Sequence, residues 1–215
     1  MSAETDLPQF ELESRVSGSI KRQRVIDAAA ATFARAGYHG VGTRTIAENL
    51  GIKAASLYCH VASKEEALEE VCRQGISLPL AYLREAMAHA GDMPSRLKRF
   101  FALQEAYFVR HSDFVTVYHQ ERRHLPPDAR ERIEAISREF RRELDAMFAE
   151  AALRGELHSS LVPRTASFIC IGTIRNIDQL YFDGPIRGFE EVSRHAVESL
   201  IRGLSPGPQP SSVSG

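Results

Sequence analysis

The chain has 215 residues, 27 Lys and Arg against 28 Asp and Glu for a formal net charge of −1, and a 43% hydrophobic, 26% charged composition. These are the values of an ordinary soluble globular protein of one or two domains, and no apolar run approaches the ~18 residues that suggest a membrane span. The opening MSAETDLPQF has neither the basic start nor the apolar core of a signal peptide, and Cys59, Cys72 and Cys170 fall in no metal-binding or CxxC spacing, so a cytoplasmic protein with reduced thiols and no metal or cofactor is expected.

Residues 1–18 read as a disordered, acidic extension with a net charge of −3. Over 20–36, Val25, Ile26, Ala29, Ala30, Phe33 and Ala34 recur at the spacing of an amphipathic helix, with Ser19 placed as N-cap and Gly37 as the residue that ends it. Tyr38-His39-Gly40-Val41-Gly42 forms a tight connection, and Thr43 sits where it could cap the next helix and touch a phosphate. In that short helix Ile46, Ala47 and Leu50 share one apolar face. Gly51 breaks it, Ile52 returns to the core, and Leu57 and Val61 give a following helix its buried side. Lys53 to Ser56, Tyr58 and His60 are left facing outward. Helix, tight turn, helix, with small and polar residues opening the second, is the arrangement of a major-groove reader. Ser63-Lys64-Glu65-Glu66 fits the S-x-x-E capping box and opens a longer helix. Residues 19–65 carry seven basic and three acidic side chains, a net +4 hidden within a neutral chain.

The remainder is helical by period, giving an all-α protein with no strand run and no internal repeat. A linking helix over 63–77 should be interrupted at Pro79, which lacks an N–H and crowds the preceding turn. Helices follow over about 94–110, opened by Pro94, and about 113–122. Others run from Pro126-Pro127 to Arg154, where Gly155 ends the helix, from Pro163 to Phe182, and from Gly188 or Phe189 to about Gly203. SPGPQPSSVSG is a disordered tail by composition. The domains read as 19–65 for the reader, 66–203 for a helical body, and 204–215 for the tail. His119, Glu121 and His124 do not make a metal set, because the first two would splay on a helix. Arg122 and Arg123 read as a solvated basic face. No Gly-rich phosphate loop, GxSxG elbow, HExxH or paired cysteines are present, so no enzyme is expected.

Residues 20–68 resemble the DNA-binding domain of the TetR family of transcriptional repressors, through Phe33, Gly37, Gly40, Thr43, Ile46, Ala47, Leu50, Gly51, Ser56, Leu57, Tyr58, His60, Val61, Lys64, Glu65 and Leu68. The resemblance implies a helix-turn-helix head on a ligand-binding and dimerising helical bundle. Thr43, Arg44, Lys53, Ala54, Ala55, Ser56, Tyr58, His60 and Lys64 become the expected DNA contacts. Ala54 and Ala55 offer bases only apolar contact, so Arg44, Lys53 and DNA shape carry more of the readout. Phe100, Tyr107, Phe108, Phe114, Tyr118, Phe140, Phe148 and Phe168 are the expected walls of an effector cavity. Ile171, Gly172, Arg175, Gln179, Tyr181, Val192, His195 and Leu200 are the expected homodimer interface. Residues 176–185, NIDQLYFDGP, are similar to TetR relatives that sense acyl-coenzyme A or related lipophilic acids. The implied function is a repressor that holds a palindromic operator in double-stranded DNA as a dimer and is released by a small-molecule effector. The alternative is a helix-turn-helix protein whose main role is binding another protein.

Overall fold

The computed structural model describes residues 9–182 and 189–207, with side-chain surroundings for 21–180 and 190–207. Within them the order is α1 Gln9–Ala36, α2 Thr43–Asn49, α3 Ala54–Leu57, α4 Lys64–Ala88, α5 Met93–Glu121, a 3₁₀ turn Arg122–His124, α6 Pro127–Leu153, α7 Pro163–Phe182 and α8 Phe189–Leu204. The described residues contain no strand, and none of their helices is long and apolar enough to cross a membrane.

Helix α1 begins at Gln9, inside the segment expected to be disordered, so Ser19, expected as its N-cap, lies mid-helix. Gln, Glu, Leu and Arg in 9–15 are good helix formers, and Glu11 and Glu13 near the start suit the positive end of the helix dipole. The other end is as expected: Gly37 takes φ +71 and donates its N–H to the Phe33 carbonyl at 2.8 Å. Thr43 is the first residue of α2 and not its cap; Gly42 occupies the cap position, with no side-chain bond.

Helix α4 also departs from expectation. It runs unbroken from Lys64 to Ala88 with Pro79 buried inside it. Proline in a helix interior costs about 3 kcal/mol locally. Here Val71, Ile76, Leu80 and Leu83 are buried around it, and this packing outweighs the local break. Gly75 lies one turn before Pro79, where α4 crosses α5. A Cβ there would stand 2.7 Å from the Phe114 carbonyl oxygen and 2.9 Å from the Tyr118 Cβ, so only glycine allows this approach. The two helices expected over 94–110 and 113–122 are one helix, α5, kinked at His111 (φ −135, ψ 29).

Two large apolar cores result, with a third, small cluster of Tyr107, Phe108 and Val115 within α5. The upper one joins Val25, Ile26, Phe33, Ile46, Leu57 and Val61 of the head to Leu68 and Val71 of α4, and continues into Phe114, Val117 and Ile133 of the body. The lower one packs α4, α5, α6, α7 and α8 around Leu83, Leu97, Phe100, Leu144 and Phe148. Because the upper core crosses the expected boundary at 65/66, the head is mounted on the body and not hung from a linker.

Candidate nucleic-acid interface and effector cavity

The outer face of the head is built by α2, the turn and α3. Gly51 at φ +67 reverses the chain, and the Ile52 N–H closes on the Ala47 carbonyl at 3.0 Å. Thr32, buried in α1, accepts from Asn49 Nδ2 at 3.0 Å and so fixes the end of α2. Ile46 and Leu57 are buried, which turns Arg44, Lys53, Ala54, Ala55 and Ser56 to solvent. Helix α3 has only four residues, capped by Lys53 in extended geometry. Thr43 and Tyr58 share a hydrogen bond between their hydroxyls at 3.0 Å, joining the first residue of α2 to the end of α3. Tyr58 is 51% exposed.

Other expected DNA contacts have internal partners. Arg44 pairs with Glu48 at 2.9 Å on the exposed face of α2, so engaging DNA means exchanging Glu48 for a phosphate or base. Lys64 Nζ lies 4.0 Å over the Tyr38 ring, whose hydroxyl donates to Glu65 at 2.9 Å. Burial, with Glu65 beside it, pushes the Tyr38 phenol up to about 12. His60 is half-buried, its backbone N–H closing on Leu57. Ser63 Oγ accepts from the Glu66 N–H at 3.1 Å, while Glu66 accepts from the Ala62 N–H at 2.5 Å, a capping box displaced by one residue on its return arm.

A second feature lies in the body. A cavity of about 150 Å³ sits between α4, α5, α6 and α7, with Gly75, Ile76 and Pro79 on its α4 side. Of the aromatic residues expected there, Tyr107, Phe108, Tyr118 and Phe140 line it. The others do not. Phe100 and Phe148 are fully buried in the lower core and Phe114 in the upper one, while Phe168 is 78% exposed on the outside of α7. Helical period marks an apolar face without saying whether that face meets a neighbour, a void or water, and so it misplaces these four.

The polar part of the wall goes beyond the expected set. His119 Nε2 meets Asp178 Oδ2 at 3.3 Å, and Tyr118 and Ser137 share a hydroxyl bond at 2.8 Å. Burial pushes the Asp178 carboxyl up, against the opposing pull of His119. Three guanidiniums adjoin: Arg122, Arg141 and Arg175. Arg122 is half-buried rather than a solvated surface group. It donates to the Tyr118 carbonyl at 3.0 Å and the His119 carbonyl at 3.2 Å, and lies 4.9 Å over the Tyr118 ring. Arg141 and Arg175 sit at the exposed rim and have no ion-pair partner among the described residues. A signal existed in the sequence: Arg175 and Asp178 are the only charges between Thr165 and Phe182, three residues apart and hence on one face.

Of the expected dimer residues, Ile171 and Arg175 line this cavity, and Leu200 is 7% exposed in the lower core. The period of α7 and α8 alone cannot divide inward from outward faces. Gly172 stands open, with nothing within 4 Å of an added Cβ, and Gln179, Val192 and His195 lie on the surface. The side chain of Tyr181 lies outside the described residues. Phe168, Ile169 (40% exposed) and Val192 (41%) are the large apolar side chains exposed on α7 and α8 among the described residues. Cys72 and Cys170 are buried, and burial pushes both thiols up to about 12. Cys59 is exposed. No group of three or more metal-ligating side chains occurs among the described residues.

Head and body also meet directly. The buried Glu121 at the end of α5 accepts the Tyr38 N–H at 3.2 Å, and His124 stacks on Tyr38 and bonds His39 at 3.0 Å. The loop that positions α2 is thus held by the residues that follow the cavity wall.

Comparison with known proteins agrees with this architecture. Residues 25–71 match the model of bacterial regulatory proteins of the tetR family, and residues 90–204 match the tetracyclin repressor-like C-terminal domain. The HTH-type transcriptional repressor KstR2 of Mycobacterium tuberculosis (strain ATCC 25618 / H37Rv) is 31% identical over 118 residues, which is 54% of this chain. The match spans only 59% of that relative's length. The fatty acid metabolism regulator protein of Bacillus subtilis (strain 168) is 23% identical over 86% of this chain and 95% of its own. Among solved structures, the TetR family transcriptional regulator PfmR from Thermus thermophilus superimposes with a TM-score of 0.75 at 27% identity, over 85% of this chain and 99% of that one. With a family model covering more than half its length, the chain belongs to the tetracycline repressor-like family of bacterial regulatory proteins.

Proposed function

We propose that this protein is a ligand-responsive transcriptional repressor of the cytoplasm, which holds a palindromic operator as a homodimer and lets it go when a small lipophilic acid enters the body. The observation that carries this reading is the course of α4. It starts at the Ser63 cap directly behind the reader segment and continues without a break to Gly75, Ile76 and Pro79 in the cavity wall. A ligand that moves α4 moves the head.

DNA contact is assigned to the exposed stretch Lys53 to Ser56, with Thr43, Arg44, Tyr58, His60 and Lys64 beside it. Backbone phosphates position such a head, and the few side chains reaching base edges give it sequence preference. Two heads must be separated by about 34–36 Å to occupy successive major grooves. The partner copy is assigned to the outward face of α7 and α8, around Phe168, Ile169, Gly172 and Val192.

The cavity suits an acid with a short apolar part. A void of about 150 Å³ is of the size that holds a benzene-like group, and the arginines at its wall suit an anion. That a relative is named for fatty acid metabolism and another is named a repressor is in keeping with both halves of the proposal.

The test is capture of sheared genomic DNA from the source organism on the intact protein at ~0.15 M salt, followed by sequencing. Enrichment of one or a few palindromic sites is expected, with affinity falling steeply with salt at a slope of about −0.9 per phosphate neutralised. Binding of DNA without sequence preference, or a flat salt profile, would overturn the operator reading and favour a protein partner for the head.

A further inference from the structure

The charges of the cavity are sorted along α7. Arg175 lies at the exposed rim, whereas Asp178 is 8% exposed. The two share a helix face and stand about 4.5 Å apart along its axis. Taking a carboxyl out of water costs free energy unless its oxygens find hydrogen bonds. Asp178 has one partner among the described residues, His119, whose Nε2 meets Oδ2 at 3.3 Å. Its other oxygen, Oδ1, has none there. Ser205 Oγ is the sole fully buried side-chain polar atom left unpaired among the described residues, so Oδ1 is not sealed in protein. Asp178 lines the cavity and a smaller adjoining void of about 20 Å³, and its free oxygen opens to that space.

Two more groups that line the cavity have capacity to spare. Ser137 Oγ donates its one proton to the Ile133 carbonyl at 3.1 Å. In the 2.8 Å bond between Tyr118 and Ser137 the phenol is therefore the donor, and its oxygen keeps free lone pairs. Gln104 is half-buried, lines both the cavity and the smaller void, and its amide has no hydrogen-bond partner among the described residues. Arg122, by contrast, is spent on the Tyr118 and His119 carbonyls. The rim thus lacks an anion, and the interior lacks a small polar group. A plain hydrocarbon chain would fill the space beside Phe108 and Phe140 and leave Asp178, Tyr118 and Gln104 dry and unpaired, which costs affinity. A hydroxyl both donates and accepts, so it meets the Asp178 carboxyl whether that is ionised or neutral. An ammonium group would meet it too, but would stand among the guanidiniums of Arg122, Arg141 and Arg175, which repel it.

We propose that the effector is a hydroxylated acid, its carboxylate held at the rim by Arg141 and Arg175 and its hydroxyl bonded to Asp178 inside. The inference rests on the reading of the cavity as the effector site. It makes Asp178 the residue that tells a hydroxylated acid from its parent acid. A site whose buried groups pair with a ligand's hydroxyl rejects the analogue lacking it far more strongly than an apolar pocket tells one chain length from the next.

The experiment is calorimetric titration of the intact protein with two sets of acids: phenylacetate against mandelate and para-hydroxyphenylacetate, and hexanoate against β-hydroxyhexanoate. The variants Asp178→Leu and Asp178→Asn are titrated alongside, their folding verified by thermal unfolding. At least one hydroxylated acid is expected to bind about tenfold or more tighter than its parent. Asp178→Leu should abolish that preference and leave the parent acid no weaker, whereas Asp178→Asn, whose amide oxygen still accepts a hydrogen bond, should keep most of it. Should Asp178→Leu fail to fold, the wild-type ratio decides. Equal affinity for each acid and its hydroxylated partners means that water meets Asp178 as well as a ligand does, and overturns the proposal while leaving the cavity reading intact. A preference that survives in Asp178→Leu also overturns it. Binding of none of these acids overturns the cavity reading, and the hydroxyl assignment with it.

Discussion

Arg44 and Lys64, both proposed to touch DNA, differ in their surroundings. Arg44 is an exposed guanidinium at the start of α2, held only by Glu48 in a surface pair worth at most about 1 kcal/mol. Exchange for a base edge is therefore cheap. Arg44→Ala is expected to relax preference at one base pair, with a loss of about 1–3 kcal/mol on the operator and little on random DNA. Lys64 is stacked on Tyr38 at the base of the head. Lys64→Ala should weaken all sequences alike and lower the salt slope by roughly one unit. Equal losses on operator and random DNA for Arg44→Ala, in a binding titration, would remove it from the reading set. Asp178 gives a prediction of a different kind. Burial raises its pKa in the folded chain, so the folded protein keeps a proton that the unfolded one sheds from about pH 4 upward. Stability contributed by the neutral carboxyl is complete below that point and is lost as pH rises through the raised value, with a slope of at most about 1.4 kcal/mol per pH unit. Urea midpoints measured against pH should show this fall in the wild type and not in Asp178→Asn; parallel profiles would refute the assignment.

At the scale of elements, α4 does the most. Its N-terminus is fixed by the Ser63 cap, and Ser63→Ala should cost about 1 kcal/mol in chemical denaturation. Since that cap also closes the reader segment, operator affinity should fall with it. Its middle is fixed by the close crossing at Gly75. Gly75→Ala places a methyl group against the Phe114 carbonyl and Tyr118, which must move. Overpacking of this kind costs about 1–3 kcal/mol, and the shift falls on the helix pair that lines the cavity. The variant is expected to lose stability and to respond differently to effector in an operator-release assay; wild-type behaviour in both would show that the crossing is slack. The period of the sequence is enough to find the α4, α6, α7 and α8 segments, because long amphipathic runs with proline or capping signals at their ends leave few alternatives. It misjudges Pro79, because the packing of Ile76, Leu80 and Leu83 that overrides a local break is made by residues distant in the chain.

For the whole molecule, the proposed function requires two copies, and their contact is proposed at the exposed apolar residues of α7 and α8. Ile169→Glu puts a charge into that face while leaving both cores untouched. It should raise the dimer dissociation constant at least tenfold, about 1.4 kcal/mol, and abolish preference for palindromic over single half-sites. Sedimentation showing an undisturbed dimer would move the interface elsewhere. On the proposed function, operator and effector antagonise each other by the same coupling energy, whichever is added first.

The fold class, the head and its register are legible in the residues alone. Gly37, Gly51 and the Ser63 box are local signals whose conformational cause lies within a few residues, and Ile46, Ala47, Leu57 and Val61 leave one orientation in which the apolar faces meet. The place of each aromatic and charged residue in the body emerges only when the helices are packed. Tyr107 and Phe108 line a cavity while Phe100 and Phe148, on similar helical stripes, are core, and Phe168 faces outward. Arg175 joins Asp178 on the cavity wall, although helical period alone suits it equally to meeting a second copy. Whether an apolar or charged face meets a void, a neighbour or solvent depends on how helices far apart in sequence cross, and that is set by long-range packing such as the approach at Gly75, which no local period encodes.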